Sequence, residues 1–100
     1  MIDLKKFQKE VYQNKIDKGF NVTDVFLEFC YTQKELAEAF EAYNKKLPDL
    51  GEELADVMIY LLGMAEILDV DLEQELTKKH EKNKNREYKR INGVNTRIKE

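Results

Sequence analysis

Between Val57 and Ala65 the chain carries no charged residue, and the two acids leading into this run, Glu53 and Asp56, sit about one helical turn apart. At about 100° per residue, the direction taken by Asp56 is continued by Tyr60, Gly63 and Ile67, so it does not belong to a solvated stripe. A helix that is apolar on every side is a buried helix. Glu53 and Asp56 are therefore predicted to point into an interior. There, ionised carboxyl groups are costly and repel one another unless protons, basic side chains or a metal ion compensate. A second pair at the same spacing, Glu35 and Glu38, precedes them on a separate helix. Four carboxylates from two helices suit a hard divalent cation such as Mg2+, with Mn2+ as the alternative.

Taken alone, the first pair reads as ordinary. Glu28, Tyr31, Glu35 and Glu38 fall on one side of their helix, and Phe26, Phe29, Leu36, Ala37 and Phe40 fall roughly on the other, which is the pattern of an amphipathic helix with a wet acidic face. Only the inward-pointing pair one helix later turns it into a candidate half-site.

Four helices follow from the capping signals. Asp3 caps a first helix carrying Leu4, Phe7 and Val11, which stops near Gly19. Asn21 or Thr23 starts a long second helix to about Lys46, and Pro48 prevents its continuation. Asp49 with Glu52, and Asp71 with Gln74, read as capping boxes for a third helix ending near Ile67 to Asp69 and a fourth from Leu72 to about Tyr88. Short connections predict antiparallel neighbours, hence an all-α, four-helix bundle-like fold over a single domain, residues 1–100. The tail, 88–100, contains Asn92-Gly93, the strongest two-residue hairpin signal. It is read as a small hairpin or an irregular segment docked on the bundle.

Charge is segregated late in the chain. Residues 51–76 hold eight acidic and no basic side chains, whereas 77–100 hold nine basic and three acidic. On the fourth helix Lys79, Asn83 and Arg86 share a face at i, i+4, i+7 and offer an ammonium, an amide and a guanidinium fork to phosphate oxygens. The competing reading is a lysine-rich solvated face near a helix C-terminus. Nucleic-acid binding is disfavoured by a pI near 5.3 and by little aromatic interleaving. Cys30 is the only cysteine and is read as a small buried hydrophobe, and His80 as a partly buried surface residue. No apolar run can span a bilayer and no signal-peptide core is visible, so the expectation is a cytoplasmic protein without a membrane partner. The all-round apolar third helix predicts a homo-oligomer, a homodimer or homotetramer.

The segments KELAEAF (34–40), EELADVMIYLL (52–62) and KHEKNKNR (79–86) resemble, in order, the motifs of the MazG-like nucleoside triphosphate pyrophosphohydrolases, within the all-α superfamily that includes the dimeric dUTPases. The resemblance spans about residues 14–93. The family pattern is Glu-Glu-x-x-Glu followed by Glu-x-x-Asp. Glu35 and Glu38 match its second and third acids, Glu53 and Asp56 its last pair, and Lys34 stands in place of the first acid. The resemblance implies Mg2+-dependent hydrolysis of a nucleoside triphosphate to monophosphate and pyrophosphate. In that scheme Glu35, Glu38, Glu53 and Asp56 hold the metal, and Glu35 or Glu38 acts catalytically on the attacking water. Lys79, Asn83 and Arg86 bind the substrate. Related bundles support dUTPase-like and phosphoribosyl-ATP pyrophosphohydrolase-like activities. The rival reading is a non-catalytic helical module that binds metal or a partner.

Overall fold

The computed structural model describes residues 2–99, so both extreme ends of the predicted domain lie outside the described residues. The elements are α1 (Leu4–Asp17), α2 (Val25–Asn44), α3 (Leu50–Ile67), α4 (Leu72–Asn85), β1 (Glu87–Ile91) and β2 (Val94–Lys99).

Local chemistry explains most of the boundaries. The side chains of Asp3, Asp24 and Asp71 accept from the backbone N–H three residues on, which satisfies one otherwise orphaned donor at each helix start. The cap of α2 is thus Asp24. Asn21 instead accepts from the N–H groups of Thr23 and Asp24 and shapes the turn that delivers Asp24. Asp49 begins α3 without a side-chain cap, so the predicted Asp49–Glu52 box does not form; its Oδ1 is buried without a partner. Helix α1 closes with Gly19 at φ +72°, the left-handed position that favours glycine, and Phe20 N–H donates back to Lys15 O. The same closure ends α2 with Lys46 and α3 with Asp69 in left-handed conformation.

Helix α3 is the spine. Helix α2 packs on one side of it and α1 on another, whereas α4 leans mainly on α1. Gln8 ties these elements together: its amide donates to Glu66 and to Val70 O, and its carbonyl accepts from Leu72 N–H. At the other end of α1, Lys15 donates to Glu28 at 2.5 Å and Asn21 donates to the second Glu28 oxygen at 3.0 Å. Glu28 is 1% exposed and Lys15 8%. The Lys15 stem crosses α3 at Gly63, where an added Cβ would lie 3.0 Å from Lys15 Cδ.

The strictly buried apolar set is small: Val11, Ala39, Ala42, Leu62, Met64 and Ala65. The stripe of α2 facing α3 runs through Glu28, Glu35, Ala39 and Ala42, while Phe26 is 86% exposed and Phe40 66%. This reverses the amphipathic reading of α2: its acids turn inward and its rings outward. Cys30 is exposed, since it belongs to the outward side, and so is His80; both corrections follow from helix orientation. Total accessible surface is 7877 Å2, against roughly 6,000 Å2 for a folded monomer of this mass. The radius of gyration, 16.8 Å, exceeds the ~13 Å of a compact 100-residue domain.

The tail forms the predicted hairpin, with Ile91 opposite Val94 and with Asn92 and Gly93 both at positive φ, as a type I′ turn requires. It does not dock on the helices as expected. Tyr88, Ile91, Val94 and Ile98 remain exposed, because α4 ends at Asn85 and carries the ribbon away from α2 and α3.

Removing one partner of a buried ion pair leaves an uncompensated charge, so Glu28→Ala should cost about 3–5 kcal/mol of stability. Replacing both partners with apolar residues should cost far less. Urea unfolding of the two variants checks this, and a loss below about 1 kcal/mol for Glu28→Ala would show the pair to be solvated.

Candidate functional site

Across the α2–α3 interface the two acidic pairs meet. Carboxylate oxygens of Glu35, Glu38 and Glu53 lie within 4.8 Å of one another, all on half-buried residues. Asp56, one turn after Glu53 and also half-buried, is close enough for its charge to act on both Glu35 and Glu53. The structure thus clusters the carboxylates of Glu35, Glu38 and Glu53 and sets Asp56 within electrostatic reach of them.

Their electrostatics record the crowding. Burial first, then the charge of Glu38 and a hydrogen bond with it, then Asp56 and Glu53, hold the Glu35 carboxyl above its ordinary value. Burial and the charges of Asp49, Glu38, Asp56 and Glu52 do the same to Glu53. Glu53 Oε2 is buried without a hydrogen-bond partner. An orphaned anionic oxygen facing other carboxylates is the expected signature of a cation site. The spacing agrees, since oxygens on opposite sides of Mg2+ lie about 4 Å apart.

Lys34 approaches this group from its exposed side, with Nζ 3.8 Å from Glu38 Oε1. It brings a positive charge to the edge of the cluster rather than a further ligand. On the α1 side stands Tyr60, one turn beyond Asp56. Its ring meets Tyr31 edge-on with centroids 6.1 Å apart, and Lys15 Nζ sits 5.0 Å over its face. Burial, followed by the charges of Glu35 and Glu28, raises the Tyr60 phenol, which therefore stays neutral.

The basic residues are placed elsewhere. Lys79 and Asn83 are exposed on α4, which packs mainly on α1 rather than on the acid-bearing helices. Arg86 lies just past the helix end in extended conformation, yet its Nη1 donates to Asn83 Oδ1 at 3.0 Å. That bond uses the Asn83 carbonyl and leaves its amide N–H groups unengaged by it, while Arg86 itself is half-buried with its Nε enclosed and without a partner.

Residues 30–91 match the MazG nucleotide pyrophosphohydrolase domain, more than half of the chain and the whole of the acidic site. The chain belongs to the MazG family. Searches of curated proteins and of solved structures found no match. The four helices and terminal hairpin agree with the all-α MazG fold. The MazG match begins within α2, so the Lys15–Glu28–Asn21 group is outside it. Among the described residues, no helix is long and apolar enough to cross a membrane.

The raised Glu35 and Glu53 carboxyls give a definite pH dependence. A folded-state value above the unfolded one means that the fold favours the proton, so the contribution of these two groups to stability is fully present in acid and is lost as pH rises through the ordinary carboxylate range and above it. In metal-free protein at neutral pH, Glu53→Gln should melt at a higher temperature than wild type. The difference should vanish near about pH 4. Added Mg2+ should raise the melting temperature of wild type more than that of the variant. Thermal melts over pH with and without Mg2+ check all three outcomes.

Proposed function

We propose that this MazG-family chain hydrolyses a nucleoside triphosphate to the monophosphate and pyrophosphate, with Mg2+ held by Glu35, Glu38, Glu53 and Asp56. The observation that carries this reading is the orphaned Glu53 oxygen inside the cluster of Glu35, Glu38 and Glu53, with Asp56 one turn away, where a cation would relieve the repulsion. When bound, the metal supplies charge neutralisation for phosphate oxygens and acidifies water. The chain's own residues do the rest. Glu35, whose carboxyl burial and the charge of Glu38 hold above its ordinary value, shares a hydrogen bond with Glu38, so this pair is suited to accept the proton of the attacking water. Lys34 opposes a second cation at its edge of the cluster, which suits a ligand set of these four acids alone.

Phosphoryl transfer depends on positioning and charge stabilisation, and Lys79, Asn83 and Arg86 are assigned to the phosphates. Because α4 diverges from the acids of its own chain, this reading gives that role to α4 of a second copy in a homodimer or homotetramer. Support comes from the surface excess, the outward rings of α2, the exposed apolar residues of the hairpin and the segregation of acidic from basic segments. An exposed lone thiol, Cys30, supports a reducing, cytoplasmic setting.

Nucleotides incubated with Mg2+ and resolved by chromatography should give monophosphate and pyrophosphate; orthophosphate as the direct product defeats the assignment. Asp56→Asn should abolish turnover with the helical fold intact. Lys79→Ala or Arg86→Ala should cost about 1.5–3 kcal/mol in kcat/KM, as expected for a lost charge-assisted contact, whereas Lys78→Ala and Lys84→Ala should not.

Assembly has its own test. Sedimentation should show an oligomer at micromolar concentration, and mixing Asp56→Asn with Lys79→Ala/Arg86→Ala should restore activity through mixed oligomers. An oligomer whose mixtures stay inactive would return the basic helix to its own chain.

A further inference from the structure

One cation stands at the rim of the acidic cluster without a firm partner. Lys34 lies on α2 one residue before Glu35 and one turn before Glu38, with Nζ 3.8 Å from Glu38 Oε1 and a side chain 69% exposed. At that distance the two groups attract but do not hydrogen-bond. As a stabilising contact the pair is poorly built, since an exposed i,i+4 ion pair contributes little and Lys preceding Glu is the weaker order along a helix. For the metal this lysine is a handicap, because a positive charge beside a ligand acid repels a cation. Neither the fold nor the ion explains why a cation is placed here.

Charge balance does. The carboxylates of Glu35, Glu38, Glu53 and Asp56 outweigh a single divalent ion, so the metal-loaded site stays negative and repels a polyphosphate. Lys15 cannot correct this, because it is buried and committed to Glu28 at 2.5 Å. The basic residues of α4 are carried by a helix that packs mainly on α1. Lys34 has three donors on a flexible four-carbon stem, and it already touches an acid of the cluster.

We propose that Lys34 is a phosphate-contacting residue, whose ammonium exchanges Glu38 for a non-bridging oxygen of the polyphosphate once that carboxylate has taken the metal. This rests on the triphosphate reading above and adds a residue to it. The exchange needs only side-chain rotation. Glu38 gives its charge to the cation, its hold on Lys34 weakens, and the ammonium turns to the phosphate, where a charge-assisted contact replaces a loose, wet pair. Lys34 stands where the family pattern has an acid, so the contact belongs to this chain and not to the family at large. The same side chain thus opposes the metal alone and favours the metal together with polyphosphate, a reversal of sign that a purely structural ion pair does not produce.

Isothermal titration calorimetry on the full chain separates the two effects. Lys34→Gln should bind Mg2+ alone at least as tightly as wild type. Inorganic tripolyphosphate, added with saturating Mg2+, should bind this variant about tenfold more weakly, the loss expected for one charge-assisted contact. Lys34→Arg, which keeps charge and donors, should restore most of that affinity. Lys45→Gln removes a similarly exposed lysine, paired with Glu41 farther along α2, and should change neither titration. In steady-state assays Lys34→Gln should raise KM for a nucleoside triphosphate by a similar factor, with circular dichroism unchanged. Failure of Mg2+-loaded wild type to bind tripolyphosphate, an unchanged affinity in Lys34→Gln, or an equal loss in Lys45→Gln would overturn the contact. Weaker binding of Mg2+ alone by Lys34→Gln would also overturn it, by making Lys34 a support of the ligand set. Lys34-dependent binding of Mg2+ with tripolyphosphate, in a protein that hydrolyses no nucleoside triphosphate, would support the contact and overturn the hydrolytic reading instead.

Discussion

Like charges facing one another across α2 and α3 set the terms for the rest of this molecule. With Glu35 and Glu38 on one helix, and Glu53 and Asp56 on the next, turned toward a shared interface, that interface cannot be filled by apolar side chains. The contact between the helices is left to small residues, Ala39 and Ala42, and to the edge of the α3 spine. Repulsion between the acids is tolerated in the folded chain by holding the Glu35 and Glu53 carboxyls toward their protonated forms. A divalent cation would remove that cost, and fold and site are coupled for this reason.

About two turns before Glu35 on α2, the same problem is solved within the chain. Glu28 is as inward as the cluster acids and more deeply buried, yet it has a dedicated cation in Lys15 and an amide donor in Asn21. The contrast is informative: Glu28 has a buried cation of its own, whereas Glu38 meets only the exposed Lys34 and Glu35 faces other acids. Lys15 also lies against Tyr60, so the satisfied pair and the unsatisfied cluster share a wall.

Turning its acids inward obliges α2 to present Phe26, Phe29, Leu36, Phe40 and Tyr43 outward. With α4 held mainly by α1 and a hairpin supported by its own ladder, one chain exposes more surface than its mass warrants. A lone chain is thus a scaffold with its site on one side and its adhesive surface on another.

Helix positions, the Gly19 closure and the Asn92-Gly93 hairpin were legible in the sequence because each is decided within a few residues by capping, left-handed backbone or turn chemistry. The site acids were legible because Glu53 and Asp56 open an uncharged run, a local anomaly that marks them as inward. Periodicity gave the opposite sense for α2, since a helix with one acidic and one aromatic side looks the same whichever side faces the spine. Only the tertiary structure decided that the acids face α3, because that choice depends on what the neighbouring helix presents. It also decided that Arg86 folds back to Asn83, that α4 leaves the acids behind, and that Lys15 meets Glu28. Each of these rests on a contact between elements or a backbone break, and spacing along one helix carries no record of either.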